Sequence, residues 1–117
     1  MKLSEIEFSD AQPIDSYGPG FFRIGGNVIH GPMLAHANGA QSWGGFDDLA
    51  SLLEFAGKID VLLIGTGAEI SHPPREFTRA LEEAEIGVEP MQSTSACRTF
   101  NILLSEGRRV AAALLPV

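Results

Sequence analysis

The chain has 117 residues, of which 44% are hydrophobic and 20% charged, so it fits one globular domain and excludes a disordered or fibrous protein. Its formal net charge of -7 disfavours nucleic acid and anionic membranes as partners, because binding to phosphate requires clustered Lys and Arg. No apolar run reaches the ~20 residues that cross a bilayer, which argues against membrane insertion.

The N-terminal third predicts mostly extended structure. Residues 1–20 are expected to form an extended arm, with a short edge strand near residues 6–8 and a turn at residues 17–20. Residues 21–117 are expected to form the core of the single domain. Two short apolar runs flank Gly25-Gly26-Asn27 and predict a β-hairpin over residues 21–30. Residues 31–45 predict a long loop, in which residues 33–35 are a possible buried strand.

From residue 46 onward, strands and helices are predicted to alternate. Residues 46–56 have apolar side chains at helical spacing, and Gly57 ends this helix. Residues 59–64 predict a central strand that ends in the turn Gly65-Thr66-Gly67. A second helix is expected from Pro74 to residue 87, followed by a strand over residues 88–91, where Pro90 indicates a sheet edge or a bulge.

The last quarter of the chain predicts a third helix and a final strand. Thr94 or Ser95 is expected to cap a helix over residues 96–106, and residues 110–115 form the strand. The alternation predicts an α/β domain, and the preceding hairpin is expected to make its sheet mixed.

Polar residues near the ends of these elements form a candidate ligand or partner site. The glycine turn lies at the carboxyl end of the best strand, where α/β sheets usually bind ligands, but a tight structural turn is the favoured alternative. Arg98 and Asn101 share a helical face and could bind a carboxylate, an oxyanion or a backbone loop. Alternatively, Asn101 and Thr99 satisfy backbone groups while Arg98 is solvated or pairs with Glu89. The candidate residues are Trp43, Gly65, Thr66, Gly67, Glu89, Thr94, Arg98, Thr99 and Asn101.

Three other features have a functional and a structural interpretation. Cys97 is the single cysteine, which indicates a reducing, cytoplasmic setting. It is interpreted as a core residue rather than a nucleophile, because it falls on the apolar face of its helix. The three histidines lack metal-ligand spacing, so no metal or other cofactor is expected. Trp43, in a glycine-rich loop, covers a pocket, anchors a partner or plugs the end of the sheet.

The second half of the chain also resembles a known family. Gly87, Glu89, Met91, Thr94 and the segments Ala96-Cys97, Thr99-Phe100-Asn101 and Glu106-Gly107-Arg108 are similar to the Mth938-like domain family of unknown function. Its members include bacterial and archaeal proteins and a mitochondrial assembly factor of respiratory complex I. The resemblance implies a three-layer α/β domain with a mixed sheet, and it brings no established catalytic residues.

Two hypotheses for function follow. The first is a non-catalytic protein-binding or assembly module, motivated by the absence of a nucleophile and base pair and by the family resemblance. The second is a small-molecule or anion-binding protein or an enzyme, with a site between the turn at residues 65–67 and the helix start at residues 94–101. Neither the partner nor the oligomeric state follows from the sequence.

Overall fold

Two sheets and three helices form the fold in residues 12–117, which are the residues that the computed structural model describes. The strands are β1 (Ile14–Gly18), β2 (Phe21–Ile24), β3 (Asn27–His30), β4 (Met33–His36), β5 (Gly39–Ser42), β6 (Val61–Thr66), β7 (Gly87–Met91) and β8 (Val110–Leu115). The helices are α1 (Leu49–Leu53), α2 (Arg75–Glu83) and α3 (Ser93–Ser105). Within this part of the chain, no helix is long and apolar enough to span a membrane.

The main sheet has five strands in the order β5-β4-β8-β6-β7. β6 runs parallel to both β7 and β8, whereas β4 runs antiparallel to β5 and β8. The predicted mixed α/β sheet is therefore confirmed, and β7, which contains Pro90, lies at an edge as predicted.

Side chains on the central strands alternate between two hydrophobic cores. On β6, Leu63 faces one core, and Leu62 and Ile64 face the other. α3 and a three-stranded sheet cover the first face, while α1 and α2 cover the second. This arrangement gives the three layers that the family resemblance implies. It also explains the continuous apolar sequence of β6 and β8, because both faces of these strands are buried.

The three-stranded sheet has the order β1-β2-β3 and contains the predicted hairpin of β2 and β3. The predicted turn before Phe21 is also present. The assignment of residues 1–20 to an extended arm is wrong for Ile14–Gly18, which pairs with β2. The expected strand at residues 6–8 lies outside the described residues. The hairpin does not make the main sheet mixed, because it belongs to this separate sheet.

The long loop predicted for residues 31–45 is wrong, since β4 and β5 form a second hairpin there. The possible strand at residues 33–35 is real and fully buried. Ala37 and Asn38 form the turn, and Gly39 follows it with a φ of 139°. Asn-Gly is a strong hairpin signal, but the small and polar residues of β5 obscured it. It is this hairpin that supplies the antiparallel strands of the mixed sheet.

Two helices begin elsewhere than predicted. A single 3₁₀ turn, Gly45–Asp47, precedes α1, and Asp48 caps α1 by accepting a hydrogen bond from the Ser51 amide. The helix expected over residues 46–56 is therefore limited to Leu49–Leu53. α3 begins at Ser93, three residues before the predicted start at residue 96, and its N-terminal cap is Gln92 rather than Thr94 or Ser95.

Candidate functional site

The predicted turn and the start of α3 meet at one end of the main sheet. Gly65 and Thr66 are the last residues of β6 rather than a turn after it, and Gly67 follows with a φ of 98°. We call this place the β6–α3 rim and define it by residues 65–67, residues 92–94 and Leu115. The end of β6 and the start of α3 are therefore neighbours in the structure.

Ser93 holds the two segments of the rim together. Its side chain is fully buried, and its hydroxyl oxygen accepts a hydrogen bond from the Gly67 amide at 2.8 Å. The same hydroxyl donates to the carbonyl of Leu115, and the Ser93 amide donates to the carbonyl of Gly67 at 2.9 Å. These bonds join β6, α3 and β8, so the polar groups at the centre of the rim are already paired within the protein.

Gly65 allows α3 to approach β6 this closely. A Cβ atom at this position would lie 2.7 Å from the Ser93 hydroxyl oxygen and 2.9 Å from the Ser93 Cα atom. Contacts below 3.0 Å do not occur for real Cβ atoms, so a larger residue would push the helix away. The glycine is thus required by packing, which favours the structural interpretation of the Gly65-Thr66-Gly67 segment.

Thr66 positions the loop that follows β6. Its hydroxyl lies 2.8 Å from the carbonyl oxygen of Glu69 and 3.2 Å from that of Met91, and it accepts a hydrogen bond from the Ser71 amide at 3.1 Å. The side-chain amide of Gln92 donates to the carbonyl of Ala68 at 3.3 Å. Side chains of the rim therefore fix the backbone of residues 68–71.

The remaining polar candidates on α3 and β7 do not converge on one point. Thr94 lies in the first turn of α3 and Thr99 lies farther along it, and both are half-buried. Arg98 and Glu89 are exposed. Within residues 12–117, no ion pair joins Arg98 to Glu89, so of the two structural alternatives for Arg98 the solvated one fits the structure.

Asn101 and Trp43 have structural contacts. The Asn101 side chain accepts a hydrogen bond from the Ile14 amide at 2.8 Å and donates to the Ile14 carbonyl at 2.9 Å. It therefore completes the backbone pairing of β1, which was the structural alternative for this residue. Trp43 is 3% exposed, packs on Phe46 and Phe77, and donates from its indole nitrogen to the carbonyl of Asp48. It fills the core on the α2 side of the sheet.

Cys97 lies in the core on the α3 side of the sheet and is 3% exposed. Burial raises the pKa of its thiol to about 11, although the charge of Arg98 opposes this change. The core interpretation fits this environment. Among the described side chains, no three His, Cys, Asp or Glu residues are grouped closely enough to hold a metal ion.

We expect the Cys97 thiol to react very slowly in the folded protein. A pKa near 11 rather than 9.0 leaves about 100-fold less thiolate at pH 8, and burial also blocks access. Alkylation by iodoacetamide, followed by mass spectrometry, should be at least about 100-fold slower than for free cysteine. In guanidinium chloride the thiol should react at the ordinary rate. Rapid alkylation without denaturant would contradict the core interpretation.

Gln92, Ser93 and Leu115 are the residues of the rim that the sequence prediction missed. Helical periodicity could have indicated Ser93, because it lies four residues before Cys97 and seven before Phe100, both on the buried face of α3. A serine on the buried face of a first helical turn must find a hydrogen-bond partner. Nothing in the sequence identifies Gly67 as that partner.

The protein is a small three-layer α/β domain with a mixed sheet. At the rim, the side chains of Gln92 and Ser93 at the start of α3 hold the backbone that follows β6. The chain belongs to the family described as protein of unknown function (DUF498/DUF598), whose model matches residues 14–115. The predicted membership of the Mth938-like family is confirmed, since a Mth938-like domain from Bordetella pertussis has a TM-score of 0.76 at 28% identity, covering 99% of this chain and 92% of that one.

Two relatives extend over almost the whole chain. An uncharacterized protein of Rhodobacter capsulatus is 56% identical, and the match covers 100% of this chain and 94% of the relative. NADH dehydrogenase [ubiquinone] 1 alpha subcomplex assembly factor 3 of Danio rerio is 36% identical, and the match covers 99% of this chain and 71% of that protein.

Proposed function

We propose that this chain is a non-catalytic, cytoplasmic binding module that contributes to the assembly of NADH:ubiquinone oxidoreductase by docking a protein partner at the β6–α3 rim. The homology to the assembly factor supports the proposed contribution to assembly. The docking surface is inferred from the exposed loop at residues 68–71, whose backbone the rim holds in place. Ile70, in this loop, is 65% exposed, the highest value among the exposed large hydrophobic side chains of residues 12–117.

The hydrogen bonds of Thr66 and Gln92 fix the backbone on both sides of Ile70. Pro73 and Pro74 follow and restrict the other end of the loop. A loop that is already ordered loses less conformational entropy on binding, so it can present a hydrophobic anchor at low cost. The polar candidates of the rim thus act indirectly, by shaping the surface that contacts the partner.

A small-molecule site between the two rim segments is the alternative, and the geometry favours it less. The Ser93 and Thr66 hydroxyls and the Gly67 amide all have partners within the protein. A ligand bound there would have to compete with these hydrogen bonds. The thiol of Cys97 also lies in the core, away from solvent.

Genetic complementation with two isoleucine variants tests the proposal. In a bacterium from which the gene is deleted, the amount of assembled oxidoreductase on native gels should fall and should return with the wild-type gene. Ile70→Asp should fail to restore it, because loss of an interface anchor worth about 2 kcal/mol weakens binding roughly 30-fold. Ile102→Asp is the matched control. Ile102 is also exposed, at 52%, but it lies near the C-terminal end of α3, outside the rim.

Each result has a separate meaning. An unchanged amount of the oxidoreductase in the deletion strain would contradict the assembly role. Full restoration by Ile70→Asp would contradict docking at the rim while leaving the assembly role standing. Circular dichroism of both purified variants checks that the substitutions leave the fold intact.

A further inference from the structure

A concave surface lies at the opposite end of β8 from the rim. Its volume is about 260 Å³, and three segments form its walls. These segments are the β4–β5 turn with His36 and Asn38, the segment after α1 with Phe55 and Lys58, and the segment that enters β8 with Arg108. We call this surface the basic pocket.

The interior of the basic pocket is apolar. Phe55, Ile59 and Val110 line it, and the latter two are almost fully buried. The ring of His36 packs against that of Phe55 with centroids 5.1 Å apart. Burial lowers the pKa of His36, and its Nδ1 atom accepts a hydrogen bond from the Asn38 amide at 3.2 Å. The ring is thus neutral at pH 7, with its hydrogen on Nε2.

The edge of the pocket is cationic in a protein that is otherwise acidic. Lys58, Arg108 and Arg109 line it, whereas the whole chain of net charge -7 contains only 8 Lys and Arg residues. Arg109 is engaged by Asp60 at 2.9 Å and by the carbonyl of Gly57 at 3.2 Å, which ties two walls of the pocket together. Its charge is therefore largely neutralised.

The charges of Lys58 and Arg108 remain available. Arg108 is 66% exposed and lies 4.0 Å from Glu106, a distance at which an exposed pair is weak. No carboxylate between residues 12 and 117 forms an ion pair with Lys58. The pocket thus combines an apolar interior with two exposed cations at its edge.

We propose that the basic pocket binds an acidic segment of a partner protein, with one hydrophobic side chain inserted beside Phe55 and carboxylates facing Lys58 and Arg108. The volume favours a single side chain, because pockets for drug-sized ligands span about 300–1,000 Å³. The cations select carboxylates by charge complementarity. The inference rests on the proposed function as a binding module and adds a second contact surface at the other end of β8.

Titration of the full ¹⁵N-labelled chain with short capped peptides tests this inference by NMR. The probe Glu-Glu-Phe-Glu-Glu should shift the amide signals of Asn38, Lys58 and Arg108. Glu-Glu-Ala-Glu-Glu and Lys-Lys-Phe-Lys-Lys should each bind at least about 10-fold more weakly, because one lacks the anchor and the other the charge.

A charge-matched pair of double variants gives the control. Lys58→Glu with Arg108→Glu should weaken binding of the acidic probe at least about 10-fold. Arg79→Glu with Arg98→Glu makes the same change in net charge at exposed positions outside the pocket and should retain binding. Equal losses in the two double variants would overturn the inference, since the effect would then depend only on net charge.

Other outcomes would also overturn it. One is the absence of amide shifts at millimolar concentrations of the acidic probe. Another is binding of the lysine probe as tight as that of the acidic probe. Phenylacetate binding as tightly as the acidic probe would indicate a small-molecule site. Shifts at the same amides on raising the protein concentration alone would make a second copy the occupant. The titration uses the purified chain, so its failure is distinguishable from failure of the complementation experiment.

Discussion

Replacement of Gly65 by Ala is expected to lower the free energy of unfolding by about 3 kcal/mol, the upper part of the usual range for overpacking. The added Cβ would lie 2.7 Å from the Ser93 hydroxyl, 2.8 Å from Leu114 and 2.9 Å from the Ser93 Cα atom. Because one of these atoms belongs to the backbone of α3, a rotamer change cannot relieve the contact. The melting temperature should fall by more than about 10 °C in a domain of this size.

The control for this prediction is Gly87→Ala on the neighbouring strand β7. There the nearest atom to the new Cβ would be the carbonyl oxygen of Asp60 at 3.2 Å, so a shift of a few tenths of an ångström suffices. Its effect on the free energy of unfolding should stay within about 1 kcal/mol.

The double variant Gly65→Ala with Ser93→Ala should lose less free energy of unfolding than the sum of the two single losses, because the colliding Ser93 hydroxyl is removed. A Gly65→Ala variant as stable as wild type would contradict the close approach.

Replacement of Ser93 by Ala is expected to lower the free energy of unfolding by about 2–3 kcal/mol. The change leaves the buried Gly67 amide without an acceptor and removes the donor to Leu115. Urea denaturation followed by circular dichroism measures the loss. Amide hydrogen exchange should also be faster at Gly67 than in the wild-type protein.

Ser95→Ala provides a matched control in the same helical turn. Ser95 is half-buried and takes no part in the hydrogen bonds that join Gly67 and Leu115 to α3, which Ser93 makes. The gain in helix propensity is the same for both substitutions, at a few tenths of a kcal/mol. Equal stabilities of the Ser93 and Ser95 variants would show that the rim does not depend on the Ser93 hydroxyl.

Local patterns predicted most of the elements because each pattern reports the immediate surroundings of its own segment. The apolar run of β6 indicated a strand buried on both faces, and two cores do lie against it. The β4–β5 hairpin was missed for a local reason as well. Its second strand, Gly39–Ser42, has low strand propensity and is stabilised by pairing with β4.

Local sequence patterns predicted the roles of the candidate site residues less well than they predicted the helices and strands. Asn101 could have bound a ligand, but its side chain pairs with Ile14, which is 87 residues away in sequence. Trp43 lies in a glycine-rich stretch that resembles an exposed loop, yet aromatic packing buries it. The exposed Ile70 carries no sequence signal, since its exposure follows from the backbone that Thr66 holds.

The sequence by itself determined the α/β class, the order of elements from residue 46 onward and the family. These properties depend on periodicity, on glycine and proline positions and on short motifs. Only the tertiary structure decided the role of the Gly65-Thr66-Gly67 segment. Its central hydrogen bond joins Gly67 to Ser93 across 26 residues, and the need for glycine at position 65 comes from how closely α3 approaches β6. Such long-range distances arise from packing, which no local pattern encodes.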